Sequence, residues 1–344
     1  LVGHDRDQLM FYKEDAKGQV LQEGINEAGG MSDWIAAATS YATHGVSMIP
    51  FYIFYSMFGF QRIGDLCWAA GDSRARGFLI GGTAGRTTLN GEGLQHQDGH
   101  SHLISATVPN CVSYDPTFAF EMAVIIQNGL KRMYQDREDV YYYITAMNEN
   151  YTHPAMPDGA EEGIIKGLYA LKDAKPKAEG KAVDLLGSGT ILREVIAAAE
   201  ILEKEHGVMA SVWSAPSFTE LARDGYDIER WNRLHPGETP KVTHVEKCLG
   251  GRPGPVVAST DYIRAFADQI RAYVPRRYSV LGTDGFGRSD RREALRRHFE
   301  VDRHHVVIAA LKALADEGQL GVTDVQKAIE AHDINADVKP PRMA

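Results

Sequence analysis

Residues 182–214 read AVDLLGSGTILREVIAAAEILEKEHGVMASVWS, and this stretch decides the fold. AVDLL at 182–186 is short and mostly apolar, as a buried strand is, and GSGT at 187–190 is turn-forming. ILREVIAAAEILEKE at 191–205 reads as a helix, and VMASVWS at 208–214 is the next strand. Strand, helix and strand at this spacing make a βαβ unit, the building block of an open α/β sheet. GSGT resembles a phosphate-binding turn, but it lacks the third glycine of a dinucleotide fingerprint, so a close-packed turn is expected.

Outward from this unit, KDAKPKAEGK at 172–181 has the composition of a linker. Before it, SMIPFYIFY at 47–55 and VYYYITA at 140–146 are β-branched and aromatic, as buried strands are. Between them lie helical patterns, among them 116–134, where Phe118, Met122, Ile125 and Ile126 fall at helical spacing. The expected organisation is two open α/β sheet domains, 1–171 and 182–344, joined by 172–181.

The 344 residues, 44% of them hydrophobic, can supply a core to each domain. A formal net charge of -9 opposes nucleic-acid binding, which needs a basic stripe to displace counterions from phosphates. Cys67, Cys111 and Cys248 are widely separated, so neither a disulfide framework nor a CxxC metal knuckle is readable, and a reducing cytoplasm fits best. There is no apolar run of membrane length and no apolar signal core near the start. Leu1 is not an initiator methionine, and the chain opens in polar sequence, as expected of a piece of something longer.

Three stretches carry candidate chemistry. GEGLQHQDGHSH at 91–102 sets His96, His100 and His102 beside Glu92 and Asp98. His96 and His100 would share a helical face as metalloprotease ligands do, but glycines punctuate the stretch and Gln97 stands where HExxH needs glutamate. A polar turn without chemistry stays open; histidine beside carboxylates on a glycine-held turn also presents a proton-transfer group to a cleft. EGINEAGG at 23–30 places Glu23 and Glu27 four apart, either as a solvated helix end or as a partly buried carboxylate without a local cation, suited to share a proton with a ligand nitrogen. FYIFYSMFGFQRIGD at 51–65 puts Tyr55 and Phe58 three apart, with Phe60 and Arg62 following; aromatics at this density build core, and they also stack on planar heterocycles.

In this order the three motifs resemble the pyrimidine-binding domain of thiamine-diphosphate enzymes of the transketolase superfamily, closest to the homodimeric bacterial pyruvate dehydrogenases. The resemblance rests on LQEGINE, FYIFYSMFGFQRIGDLCWAAGD, ARGFLIGGT, GRTTLNGEGLQH, DGHSH and GTDGFGRSD, and runs from about Asp5 to the C-terminus. It implies a pyrimidine-binding transketolase-like domain followed by a transketolase C-terminal-like domain, which includes FTELARDG at 218–225 and GTDGFGRSD at 282–290.

By motif position the resemblance implies that Glu27 hydrogen-bonds the aminopyrimidine ring of the cofactor, where a protonated carboxyl favours the tautomer that takes up a proton. It implies that Tyr55 and Phe58 cover the ring, with Arg62 beside them, and that His96 and Glu92 face the substrate side. His100 is a supporting partner, and His102 a loop residue bonded to backbone. The implied reaction is oxidative decarboxylation of pyruvate, with acetyl transfer to the lipoyl group of dihydrolipoyl acetyltransferase by a homodimer.

Magnesium in such enzymes is held by a GDG motif and a following asparagine, oxygen donors suited to a hard cation. That pair is absent from this sequence, so the magnesium ligands are expected in a preceding domain, and the chain alone is expected to be inactive. Other transketolase-like thiamine enzymes, acting on another 2-keto acid or a sugar phosphate, and a non-catalytic dimerisation module remain alternatives, with a zinc hydrolase the weakest.

Overall fold

The computed structural model describes residues 15–91, 94–175 and 181–344 and folds them around two sheets. The first contains β1 (Phe51–Tyr55), β2 (Phe78–Gly82), β3 (Cys111–Tyr114) and β4 (Tyr141–Thr145), in the order β1-β2-β4-β3 with every pair parallel. The second contains β5 (Tyr169–Lys172), β6 (Ala182–Gly187), β7 (Met209–Ser214), β8 (Val256–Ser259) and β9 (Tyr278–Leu281), in the order β5-β7-β6-β8-β9 with β5 alone antiparallel. The longer helices are α1 (Glu27–Ala38), α2 (Phe60–Asp72), α3 (Ala119–Leu130), α4 (Leu192–His206), α5 (Phe218–Leu234), α6 (Arg292–His298), α7 (Arg303–Asp316) and α8 (Val322–Ala331). Parallel neighbours need crossover connections; α2 follows β1, α3 joins β3 to β4 and α4 joins β6 to β7, while the β8 to β9 crossover holds only the short helix Ala265–Asp268 and a 3-10 turn.

The stretch 182–214 folds as β6, α4 and β7. Leu192, Val195, Ala199 and Leu202 recur at the helical period and bury α4 against Val183, Leu185 and Val212 of the sheet and against Val306, Ala310 and Leu314 of α7. The GSGT turn is closely packed. Gly189 has φ +50°, and a Cβ there would lie 2.6 Å from Asp115 Oδ2; Ser188 Oγ donates to the same oxygen at 2.8 Å. A turn already serving a carboxylate is poorly placed to take a phosphate.

β4 is buried at every position, and its three tyrosines each find a hydrogen-bond acceptor. Tyr141 donates to the Cys67 carbonyl at 3.0 Å, Tyr142 to Asn128 Oδ1 at 3.0 Å, and Tyr143 to Ser101 Oγ at 2.9 Å. The expected buried strand at 47–55 is shorter and more open. Pro50 precedes its first paired residue, and β1 is an edge strand whose Phe51, Ile53 and Tyr55 are 47%, 72% and 44% exposed. An apolar sequence fixed its strand character, while its edge position left one face uncovered by the described residues.

The expected linker also moves. β5 ends at Lys172 and pairs with β7, so 172–181 connects two strands of the second sheet, and that sheet begins at Tyr169. Lysine-rich composition marks a solvated connection without saying which elements it joins. The pattern at 116–134 resolves into α3 followed by a π turn at Lys131–Gln135. Glu121 accepts from the backbone nitrogens of Thr117 and Phe118 at 2.5 and 3.0 Å and so sets the start of α3.

Candidate functional site

Asn26 caps α1, its side chain accepting from Gly29 N at 3.1 Å, and Glu27 therefore sits at the first helical position, where the helix dipole favours an acid. Its side chain is 18% exposed, and Arg62 of α2 donates to Glu27 Oε1 at 2.9 Å. The Glu27 carboxylate thus has a cation, though none from its own stretch of sequence. The cation lies 35 positions away in sequence, beyond any local pattern. Tyr52 donates to the Glu27 carbonyl at 3.3 Å, and burial, then the Glu27 charge, push the phenol up to about 12. Glu23, the other acid of the motif, faces Asp33 instead; the hydrogen bond and charge of Asp33 raise its pKa.

Tyr55 closes β1, and Phe58 lies in the 3-10 turn Ser56–Phe58 that follows. Their rings meet edge to face at 6.2 Å, and the Arg62 guanidinium lies 4.0 Å from the Phe58 centroid. Across from them His96, in the turn Leu94–His96, approaches Tyr55 at 5.1 Å and Phe58 at 5.0 Å, edge to face with both. Glu27, Tyr55, Phe58, Arg62 and His96 therefore form one cluster where β1 ends. Glu92 lies outside the described residues.

Gln97 and Asp98 hold the His96 loop in place. Gln97 Nε2 donates to the carbonyls of Leu89 at 3.0 Å and Arg288 at 2.7 Å, and its Oε1 accepts from Arg288 N at 2.7 Å. The GTDGFGRSD loop of the second sheet thus braces the histidine. Asp98 is fully buried and accepts from the backbone nitrogens of His100 and Ser101, both at 3.0 Å, and from the Ser101 hydroxyl.

His100 and His96 take different partners: His100 Nε2 pairs with Gln61 Oε1 at 2.9 Å, beside Arg62. His102 is not the backbone-bonded loop residue expected. It is fully buried in the short helix Ser101–Ser105, with Nε2 3.0 Å from Thr145 Oγ1 and its ring stacked on Phe266 at 4.9 Å. Burial lowers its pKa to about 4. Gln61, Gln97 and Tyr52 escape sequence reasoning because each acts through a partner distant in the chain.

Two buried acids join the sheets. Asp115 accepts from Thr145 Oγ1 at 2.7 Å and Ser188 Oγ at 2.8 Å, and burial raises its pKa to about 7. Asp261 accepts from Thr87 N at 3.0 Å, and burial raises its pKa to about 6. Both are fully buried and saturated with local donors, as structural acids are.

The family pattern described as "Pyruvate dehydrogenase E1 component middle domain" matches residues 2–154, and "Transketolase-like TK C-terminal domain" matches 167–302. The pyruvate dehydrogenase E1 component of Cupriavidus necator is 66% identical over 340 residues, covering 99% of this chain and 38% of that protein. The chain is similar to the C-terminal part of bacterial pyruvate dehydrogenase E1 components. Among them, the E1 component of Escherichia coli K12 is 63% identical over 342 residues, again 99% of this chain and 38% of the relative.

The chain thus spans about 38% of the length of these E1 relatives. In fold it is similar to the transketolase of Campylobacter jejuni, with TM-score 0.60, 18% identity, and 81% of this chain and 38% of that one covered. It is also similar to a split-gene transketolase described as an inactive beta4 tetramer, with TM-score 0.61, 18% identity and coverage of 85% and 83%. A transketolase-like pair of α/β domains is the architecture that brings the cluster together.

Proposed function

We propose that this chain supplies the pyrimidine-side wall of a thiamine diphosphate site in an enzyme that oxidatively decarboxylates pyruvate and passes the acetyl group to a lipoyl group. The observation that carries this reading is the cluster itself, a carboxylate at a helix start beside two aromatic rings and an imidazole at a partly exposed strand end. These residues fit an aminopyrimidine: the rings offer apolar edges and faces, and the carboxylate offers an oxygen that can share a proton with a ring nitrogen. When bound, the thiazolium portion supplies the electron sink for loss of carbon dioxide.

Glu27 holds or shares the proton at the ring nitrogen, and Arg62 fixes the direction of its carboxylate. Tyr55 and Phe58 exclude water from one side of the ring. His96, held between those rings and braced through Gln97, donates to or accepts from the substrate oxygen, and Glu92 acts from the same loop. His100 supports Arg62 from the neighbouring Gln61. The lipoyl disulfide of dihydrolipoyl acetyltransferase is the oxidant, accepting two electrons as it takes the acetyl group on one sulfur. The diphosphate and its magnesium are held by the part of the family polypeptide that this chain does not span. Magnesium prefers an oxygen cage, and the cluster offers one carboxylate among aromatic and cationic groups.

Homodimerisation is part of the reading. Ile25, Phe51, Ile53 and Trp68 are 100%, 47%, 72% and 53% exposed near the cluster, an apolar surface suited to burial against another polypeptide. No helix among the described residues is long and apolar enough to cross a membrane, and the three cysteines are free, which supports a bacterial cytoplasmic setting. The direct test titrates this chain with thiamine diphosphate and magnesium, alone and after adding the remaining portion of a family relative. The expected result is weak binding and no pyruvate turnover alone, with both restored in the mixture. Submicromolar binding or turnover by the chain alone overturns the assignment of diphosphate and magnesium to the other portion. A restored activity that prefers sugar phosphates over pyruvate overturns the substrate.

A further inference from the structure

A second cluster of ligating side chains lies at the far end of the second sheet. α4 starts at the GSGT turn against Asp115 and runs 15 residues, roughly 22 Å, to His206. There Glu205 and His206, in its last turn, meet His332, which caps the C-terminus of α8. One ligand atom from each of the three lies within 4.8 Å of the other two. Among the described residues this is the one group of three or more histidine, cysteine or acidic side chains so placed.

The hydrogen bonding around the imidazoles points the same way. Nε2 of His206 and Nε2 of His332 are both buried from solvent and have no hydrogen-bond partner. Such atoms cost free energy unless something satisfies them. On its other side, His332 Nδ1 lies 2.9 Å from His304 Nδ1, so one of the two carries the shared proton. If His332 is the donor, its Nε2 is left as a lone-pair donor. A second partner on Nδ1 that fixes the tautomer is how metal-binding histidines are oriented.

The surrounding charge suits a cation. Asp324 of α8 adds a negative charge facing His206. The nearby cations are occupied elsewhere: Arg303 donates to Glu194 at 2.9 Å, and Arg297 pairs with Asp302 at 3.5 Å while donating to the His332 carbonyl at 2.9 Å. We propose that Glu205, His206 and His332 bind one divalent first-row transition ion of the zinc class, with His304 positioning His332. Two imidazole nitrogens and one carboxylate oxygen suit zinc, which takes mixed nitrogen and oxygen donors, and not magnesium or calcium, which prefer oxygen alone. The ion ties α8 to the end of α4, and solvent fills the remaining coordination positions. This site is remote from the proposed thiamine site and does not depend on that reading.

The test is equilibrium dialysis of the tag-free 344-residue chain against Zn2+, with Co2+ absorption as a report on geometry. The expected result is one equivalent of Zn2+ per chain, a visible Co2+ band that Zn2+ displaces, and loss of both in His206→Ala and His332→Ala. His304→Ala weakens binding by about 10- to 100-fold, as loss of an orienting partner does. Glu205→Gln changes an exposed carboxylate and leaves the fold intact, which circular dichroism checks, so its weakened uptake separates ligand loss from misfolding. Absence of stoichiometric uptake by the parent, or uptake by Glu205→Gln and His332→Ala equal to the parent's, overturns the proposal.

Discussion

His96 and His102 share one loop but have opposite surroundings. His96 stands between two partly exposed aromatic rings, whereas His102 is enclosed by Tyr143, Tyr262 and Phe266. Their different fates follow from this enclosure, and so does a pH dependence. The folded pKa of His102 is lowered to about 4, so its contribution to stability is present above about pH 6.5 and is lost as pH falls towards 4. Asp115 has the opposite sign. Its folded pKa is raised to about 7, so its contribution is present below about pH 4 and is lost as pH rises through 7. The two offset each other between pH 4 and 6.5. Chemical unfolding across this range is therefore expected to show Asp115→Asn losing stability more steeply than the parent on acidification, and His102→Phe losing it less steeply. At the proposed catalytic position, Glu27→Gln in the reconstituted enzyme is expected to lower kcat by about 10²- to 10⁴-fold. The fold should survive this change, because Asn26 and not Glu27 caps α1; thermal unfolding alongside the rate separates the two effects. The residue types at this site were legible in the sequence, since a glutamate before glycines and closely spaced aromatics stand out. The Arg62 to Glu27 contact was not, because the fold alone brings those positions together.

At the scale of elements, the βαβ unit at 182–214 was readable almost to the residue because its periodicities change cleanly from strand to helix and back. What periodicity could not supply was the partner of its turn. Gly189→Ala is expected to cost about 1–3 kcal/mol in unfolding measurements, since the added methyl meets the Asp115 carboxylate while the backbone holds φ +50°. A cost indistinguishable from zero would show that the turn relaxes freely. β1 and β5 were less legible for one shared reason. Both are edge strands, so their extent and exposure depend on which neighbour they meet, and local sequence carries little of that information.

Across the whole molecule, the two sheets are joined by charge as well as by packing. Glu149, just after β4 of the first sheet, accepts from Arg193 at 2.5 Å and Thr190 Oγ1 at 2.9 Å and pairs with Arg296; Arg296 also reaches Glu194 at 3.4 Å. Burial pushes the Glu149 pKa up, but Arg296 outweighs it and holds the carboxyl below its usual range. Its stabilising contribution is therefore present above the ordinary glutamate value, near pH 4.3, and fades as pH falls below that. Arg296 is 6% exposed, and removing it takes one cationic partner from each of two largely buried carboxylates, leaving Arg193 on Glu149 and Arg303 on Glu194. Arg296→Met is expected to cost about 1–3 kcal/mol, less than for a buried charge left with no partner, and to split thermal unfolding into separate transitions as the sheets uncouple. A single transition at the parent temperature would show the network to be dispensable.

By itself, the sequence determined the α/β class, the βαβ unit, the residue types of the candidate site and the family resemblance, because short-range periodicity and unbroken motif strings are properties of neighbouring residues. Only the tertiary structure decided that Arg62 serves Glu27, that His102 is enclosed between the sheets, that β5 belongs to the second sheet, and that Glu205 and His206 meet His332. Each of these joins positions far apart in the chain, and such contacts are set by how strands and helices pack rather than by what stands next to what.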